Sequence, residues 1–271
     1  MPAKEATQRE PLLHAVAPVA PRPATVFTRQ VDVPVGARKA EVTCVKCNMR
    51  ESCLTGTVPA DDLGRVENIV YARRRMKRGE RLFSAGDEFK SLYAIRSGFF
   101  KTSLVDGEGR DQVTGFFMGG ELLGLDGLGA GRYNGSAIAL EDSEVCMMPY
   151  RLIEEISCEV PSLQRGLHIV LAREIVRDHG VMLLLGSMRA EERLATFLLN
   201  LGKRLLRRGF SPSNFVLRMT REEIGSYLGL KIETVSRLFS TFQRRGLLEV
   251  CQKHISITDI GQLERLLASG G

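Results

Sequence analysis

The chain has 271 residues, a formal net charge of +6, and 44% hydrophobic and 26% charged residues, values ordinary for a soluble protein with room for two buried cores and a tail. No apolar run approaches the roughly 20 residues that cross a bilayer. The one stretch that resembles a secretory leader, Leu12 to Ala20, is broken by Pro18 and preceded by Glu5 and Glu10, so a cytoplasmic protein without a membrane partner is expected.

Residues 1–40 carry six of the ten prolines and no periodicity, which predicts a disordered leader. Residues 41–160 are expected to combine a cysteine-rich loop with an antiparallel β-roll. The loop reads Cys44-Val-Lys-Cys47-Asn-Met-Arg-Glu-Ser-Cys53, and a fourth cysteine, Cys146, sits far along the chain in a strand-like run. In a reducing compartment such a group points to a metal or redox site rather than to disulfides. Thiolates are soft ligands; a short loop can supply three corners of a site, and Cys146 would tie it to the folded body. On the residues alone, zinc and iron-sulfur suit the set about equally. Cys158 and Cys251 fall outside the pattern and read as incidental or buried thiols.

Short apolar runs then recur at Arg81-Leu-Phe83, Ser91 to Ile95, Phe99 to Val105, Gln112 to Phe117, Ser136 to Leu140 and Glu144 to Met148. Turn signals at Ala85-Gly-Asp, Ser97-Gly, Asp106-Gly-Glu-Gly and Met118-Gly-Gly separate them, a pattern of a β-barrel or jelly roll. From Pro149 the pattern turns helical, and residues 161–190 are assigned to one long dimerisation helix. Leu171, Ile175, Asp178, Met182 and Leu185 recur at alternating four- and three-residue steps, the spacing of a coiled-coil seam. A carboxylate there is costly unless hydrated or paired. Across a parallel twofold, Asp178 would face its own copy and act as a brake on dimerisation.

Residues 191–271 are expected to form a winged helix-turn-helix domain. They contain thirteen Lys or Arg against eight acids, so most of the excess charge of the chain lies here, a footprint suited to the phosphate backbone of double-stranded DNA. Ala190 to Arg208 predicts a helix stopped by Gly209. Thr220-Arg-Glu-Glu223 is a capping box. Ile224, Tyr227 and Leu228 form the buried face of the helix it starts, Gly229 makes the turn, and Leu230 anchors the next helix, whose Val235, Leu238, Phe239 and Phe242 face the core. Ile232, Glu233, Ser236 and Arg237 are then left outward at the N-terminal end of the second helix, where base edges are read in the major groove. Arg237 can grip guanine in a bidentate pair, and Glu233 can accept from a base amino group. Leu247 to Thr258 predicts the hairpin of the wing.

With these residues in view, the sequence from about Cys44 to Ile257 resembles the FNR subgroup of the Crp/Fnr family of bacterial transcription regulators. The resemblance is carried by the four cysteines, by Phe83 to Gly98, Met182-Leu-Leu-Leu, Ala190-Glu-Glu-Arg-Leu-Ala195, and Met219 to Leu238. It implies an α+β protein with a β-roll sensor, a dimerisation helix and a winged helix-turn-helix. It further implies a [4Fe-4S] cluster on Cys44, Cys47, Cys53 and Cys146 that promotes a homodimer in the absence of oxygen. Ile175 and Asp178 correspond to an interface pair, and Glu233, Ser236 and Arg237 to a base-reading triplet for palindromic TTGAT-like sites. A roll turn, Asp106 to Asp111, is the candidate contact for RNA polymerase. Ser52, beside Arg50 and Glu51, makes the loop more hydrated than the pattern requires and bears on how oxygen reaches the cluster.

Other functions are weighed on the same residues. A cyclic-nucleotide effector would use an Arg-Ser pair after a Gly-Glu turn; Gly120-Glu121 is present, but the later pair reads Gly135-Ser136, with Arg132 nearby. A Crp-like regulator with a structural zinc site keeps the DNA reader and changes the metal. A redox enzyme ranks last: no nucleotide fingerprint or catalytic His-Cys or Ser-His set is visible, so no enzymatic activity is expected.

Overall fold

Short apolar runs, punctuated by glycine, fold residues 72–149 into two four-stranded antiparallel sheets that share one core. In the computed structural model used here, residues 44–105, 107 and 109–268 are described, and all fall in one unit, Val31–Gly271. The leader expected at 1–40 lies outside them, as do Asp106 and Glu108 of the turn assigned to RNA polymerase.

The first sheet has the order β1-β8-β3-β6, built from β1 (Ala72–Met76), β3 (Ser91–Ser97), β6 (Leu122–Leu123) and β8 (Ser143–Pro149). The second has the order β2-β7-β4-β5, with β2 (Arg81–Phe83), β4 (Phe99–Val105), β5 (Asp111–Met118) and β7 (Ser136–Ala139). Met76, Tyr93, Ile95, Val145 and Met147 from one sheet pack with Phe83, Phe100, Phe117 and Ala137 from the other. Side chains alternate across each strand, so Tyr93 and Ile95 of β3 face the shared core while Leu92 and Ala94 pack on the opposite face of the same sheet in a separate core. Two strands of these sheets are absent from the sequence reading. In β1, Ala-Arg-Arg-Arg-Met, the charge conceals the buried ends Ala72 and Met76; β6 is too short to show a period. Leu54 to Ile69 forms no strand. It is a succession of short turns of helix, including α1 (Leu63–Val66), whose Leu54, Val58, Leu63, Val66 and Ile69 make a second core.

A short α2 (Gly127–Ala130) lies within the roll, and α3 (Tyr150–Glu159) leaves it. The long helix α4 (Pro161–Ser187) begins with Pro161 in its first turn, where the missing N–H costs nothing. Its N-terminal third is buried through Leu163, Gly166 and Leu167 in the second core, together with Ile153 of α3. Then follows α5 (Ala190–Leu206), ending slightly before the Arg208 expected from sequence.

The C-terminal part matches the expected winged helix-turn-helix: β9 (Asn214–Val216), α6 (Arg221–Leu228), α7 (Ile232–Arg244), the hairpin β10 (Leu248–Cys251) and β11 (His254–Ile257), and α8 (Ile260–Ala268). The sheet order is β10-β11-β9. Thr220 and Glu223 form the capping box: the Glu223 N–H donates to Thr220 Oγ1 at 3.1 Å, and the Thr220 N–H to Glu223 Oε2 at 2.7 Å. Gly229 turns the chain at φ +63°, a left-handed conformation that glycine adopts without cost.

Candidate metal centre and DNA-reading helix

The cysteine loop is wound by consecutive backbone bonds. Cys47 N–H donates to Cys44 O at 3.2 Å, Arg50 N–H to Cys47 O at 3.0 Å, and Cys53 N–H to Arg50 O at 3.0 Å. This winding turns Cys44, Cys47 and Cys53 toward one cavity, whose opposite wall is Cys146 on β8. Two contacts fix the loop to the body: the Val45 N–H donates to Glu67 Oε1 at 3.2 Å, and Arg50 Nη2 to Val58 O at 3.2 Å. Behind Cys53, fully buried Leu54 packs under α4, and Thr57 Oγ1 donates to Ser162 O at 3.4 Å.

Three guanidinium groups, Arg50, Arg73 and Arg96, line the same cavity. Arg73 stands opposite Cys146 in the β1–β8 ladder, and its Nε is buried without a hydrogen-bond partner. Burial, followed by the neighbouring thiols, pushes Cys44 up to about 12 and Cys146 up to about 11, with Arg73 and Arg96 opposing the rise at Cys146. Burial also pushes Cys53 up. The set is therefore unfavourable as free thiolates and suited to a cationic centre that neutralises their mutual repulsion. The four thiols border a common cavity; among the described residues, no three His, Cys, Asp or Glu side chains form a ligand set for a single metal ion. Four soft donors lining one cavity, with Arg50, Arg73 and Arg96 in the same lining, fit an iron-sulfur group in chemistry. All four cysteines singled out in the sequence are brought together here, whereas Cys158 and Cys251 are exposed elsewhere.

In the C-terminal part, α7 buries Val235, Leu238, Phe239 and Phe242 and leaves Ile232, Glu233, Ser236 and Arg237 exposed on its first two turns. This is the division the apolar spacing predicts, and it presents one acceptor, one hydroxyl and one guanidinium on a single face. On α4, Ile175 is 55% and Met182 62% exposed, Val176 and Leu183 are also exposed, and Asp178 lies on the surface near Ile175. An apolar stripe of this length on one helix marks an interaction face.

The sequence reading missed the groups that join these regions. Val113 N–H of β5 donates to Ser226 Oγ at 2.8 Å, Ser226 Oγ donates to Asp111 O at 3.2 Å, and Lys101 Nζ lies 3.1 Å from Glu223 Oε1. The α6 helix is thereby docked on the β4–β5 hairpin. Phe116, Phe197 and Tyr227 meet with ring centroids 5.3–5.9 Å apart, linking β5, α5 and α6. The sequence places Tyr227 on a buried helix face and Phe116 in a strand run, but it gives no sign that they meet Phe197.

Comparison with known proteins agrees with this fold. Residues 192–266 match the Crp-like helix-turn-helix domain, and residues 73–157 the cyclic nucleotide-binding domain. The chain is 43% identical over 224 residues to the transcriptional regulatory protein btr of Bordetella pertussis, spanning 83% of this chain and 93% of that protein. It is 41% identical over 225 residues to the fumarate and nitrate reduction regulatory protein of Escherichia coli K12, spanning 83% of this chain and 90% of that one. Among solved structures, FixK2 from Bradyrhizobium japonicum superposes with a TM-score of 0.66 at 28% identity, covering 72% of this chain and 96% of the other. No helix among the described residues is long and apolar enough to cross a membrane. With a roll of the cyclic nucleotide-binding type, a Crp-like DNA-binding domain and FNR-like relatives aligned over most of its length, the chain belongs to the Crp/Fnr family of DNA-binding transcription regulators.

Proposed function

We propose that this protein is an oxygen-responsive regulator of the anaerobic response, in which Cys44, Cys47, Cys53 and Cys146 hold a [4Fe-4S] cluster. The observation that carries the proposal is the convergence of these four thiols, and of no other cysteine, on one cavity in an FNR-like chain. When bound, the cluster supplies iron that reacts with oxygen.

The chain's own residues supply the rest. The loop from Cys44 to Cys53 is seated against the N-terminal third of α4 through Leu54 and Thr57, so the loop and the dimerisation helix share a core. Further along that helix, Ile175 and Met182 provide the apolar contact for a second copy, and Asp178 opposes it by bringing two carboxylates together. Small changes in how α4 is seated therefore decide whether apolar contact or charge repulsion prevails. In the dimer, two α7 helices enter successive major grooves about 34–36 Å apart. Arg237, Glu233 and Ser236 read each TTGAT-type half-site, and RNA polymerase is contacted through the turn from Asp106 to Asp111. The protein works in the cytoplasm, by binding and not by catalysis.

Two other readings have less support. A cyclic nucleotide would need the Gly120-Glu121 turn, but the Glu121 carboxylate is already bound by arginines of the same chain, and residues 135–136 are Gly-Ser. A zinc site uses the same four thiols but gives no oxygen response. The test is a series of single Cys→Ser variants: Cys44, Cys47, Cys53 and Cys146 each abolish the cluster and anaerobic DNA binding, and Cys158→Ser does neither. Full cluster absorbance in Cys146→Ser would remove that residue from the ligand set.

A further inference from the structure

The turn joining β5 to β6 lies where three parts of the molecule meet. On one side it receives the cysteine loop. A Cβ placed on Gly119 would lie 2.9 Å from the Met49 sulfur, and one on Gly120, whose φ is +88°, would lie 2.5 Å from the Ser52 Cβ. Only glycine allows so close an approach. The loop that carries Cys47 and Cys53 therefore rests directly on this turn.

The next residue, Glu121, points away from the loop into a group of arginines. Arg204 of α5 grips it with two bonds, Nη2 to Oε2 at 2.6 Å and Nε to Oε1 at 3.2 Å. Arg208 donates to Oε1 at 2.8 Å and, through Nε, to the Gly119 carbonyl at 2.6 Å. Arg177 of α4, one residue before Asp178, lies 3.7 Å away and covers the Phe117 ring at 4.7 Å. The Met118 N–H also donates to this carboxylate, at 3.1 Å. Glu121 and Arg208 are 14% and 7% exposed, so the contacts are little screened by water. Paired charge-assisted bonds of this kind fix geometry as well as energy.

We infer that Glu121 is a positioning residue that couples the seat of the cysteine loop to the dimerisation helix and, through Arg204 and Arg208, to the first helix of the DNA-binding domain and the turn that ends it. The coupling runs within one protomer and adds to dimerisation. The inference rests on the cluster assignment above for the signal that moves the loop. A loop held by its ligands keeps Met49 and Ser52 on the glycines, and the turn then presents its carboxylate to both arginines and the Gly119 carbonyl to Arg208. A loop released from them frees the turn, and the arginine contacts loosen together.

Backbone hydrogen exchange on the full chain tests this, with iron-loaded protein compared with protein stripped by a chelator under argon. In the wild type, stripping speeds exchange by about fivefold or more both at residues 119–122 and at the end of α5 with the turn after it, residues 204–209. In Glu121→Gln, and separately in Arg208→Gln, iron and sulfide content stay at wild-type levels and stripping speeds exchange at 119–122 alone. An equal response of 204–209 in all three proteins, or no response there in the wild type, overturns the inference. If the protein holds no iron-sulfur, the functional reading fails by itself. The coupling is then tested by Met49→Ala, which must loosen 204–209 when Glu121 is present and leave it unchanged in Glu121→Gln.

Discussion

Two glycines of the same helix should respond differently to the same substitution. At Gly166 a Cβ would stand 2.3 Å from Thr57 Oγ1 and 3.0 Å from the Leu54 carbonyl, whereas at Gly180 it meets nothing within 4 Å. Each Gly→Ala change gains up to about 1 kcal/mol of helix propensity. At Gly166 the added methyl also presses on a backbone carbonyl in the turn directly after Cys53, and overpacking of this kind costs about 1–3 kcal/mol. The propensity gain is common to both and cancels in the comparison. Gly166→Ala should therefore trail Gly180→Ala by about 1–3 kcal/mol in urea unfolding of the cluster-free monomer, followed by circular dichroism. Because the pressure falls on the turn that carries Cys53, Gly166→Ala should also lose its cluster faster in air, and Gly180→Ala should not. Equal stabilisation by both variants would refute the close packing of the cysteine segment on α4.

Arg237→Ala should leave cluster absorbance unchanged and weaken specific DNA binding by about 1–3 kcal/mol, with the loss confined to sites carrying the matching guanine; a uniform loss on all sequences in a fluorescence anisotropy titration would make Arg237 a backbone contact. Glu121 sets an acid limit on stability. Burial alone pushes its carboxyl up, but Arg204, Arg177 and Arg208 outweigh burial and hold it below the usual carboxylate range. A depressed folded pKa stabilises the fold above the unfolded value of about 4.3, and the contribution is lost as pH falls through that value toward the folded one. The stability advantage of the wild type over Glu121→Gln should thus be full at neutral pH and shrink below about pH 4.3; a difference independent of pH would show that the charge of Glu121 is not what is being measured.

Much of this architecture is visible in the residues because each element carries its own period. The Thr220–Glu223 capping box, Gly229 and the spacing of Val235, Leu238, Phe239 and Phe242 define the helix-turn-helix locally, and Pro161 and the stripe through Ile175 and Met182 define the long helix. The four cysteines stand out by chemistry, and the fold brings them together. What the sequence conceals depends on contacts between distant segments. Arg73 reads as one of three solvated arginines until the β1–β8 register sets it opposite Cys146. Glu121 reads as one half of a Gly-Glu turn, and Arg204 and Arg208, more than eighty residues away, have no local sign of their partner. The helical turns from Leu54 to Ile69 were hidden because their burial is set by α3 and α4 and not by any period of their own.

The central claim is that the four cysteines hold an oxygen-labile iron-sulfur cluster that controls dimerisation. The most direct test is an absorbance spectrum with iron and acid-labile sulfide analysis on protein purified without oxygen, repeated after exposure to air alongside a measurement of molecular mass in solution. A brown protein with matched iron and sulfide, dimeric when intact and monomeric as it bleaches, is the predicted result. A colourless protein that binds zinc, refuses reconstitution and keeps the same mass in air would contradict it.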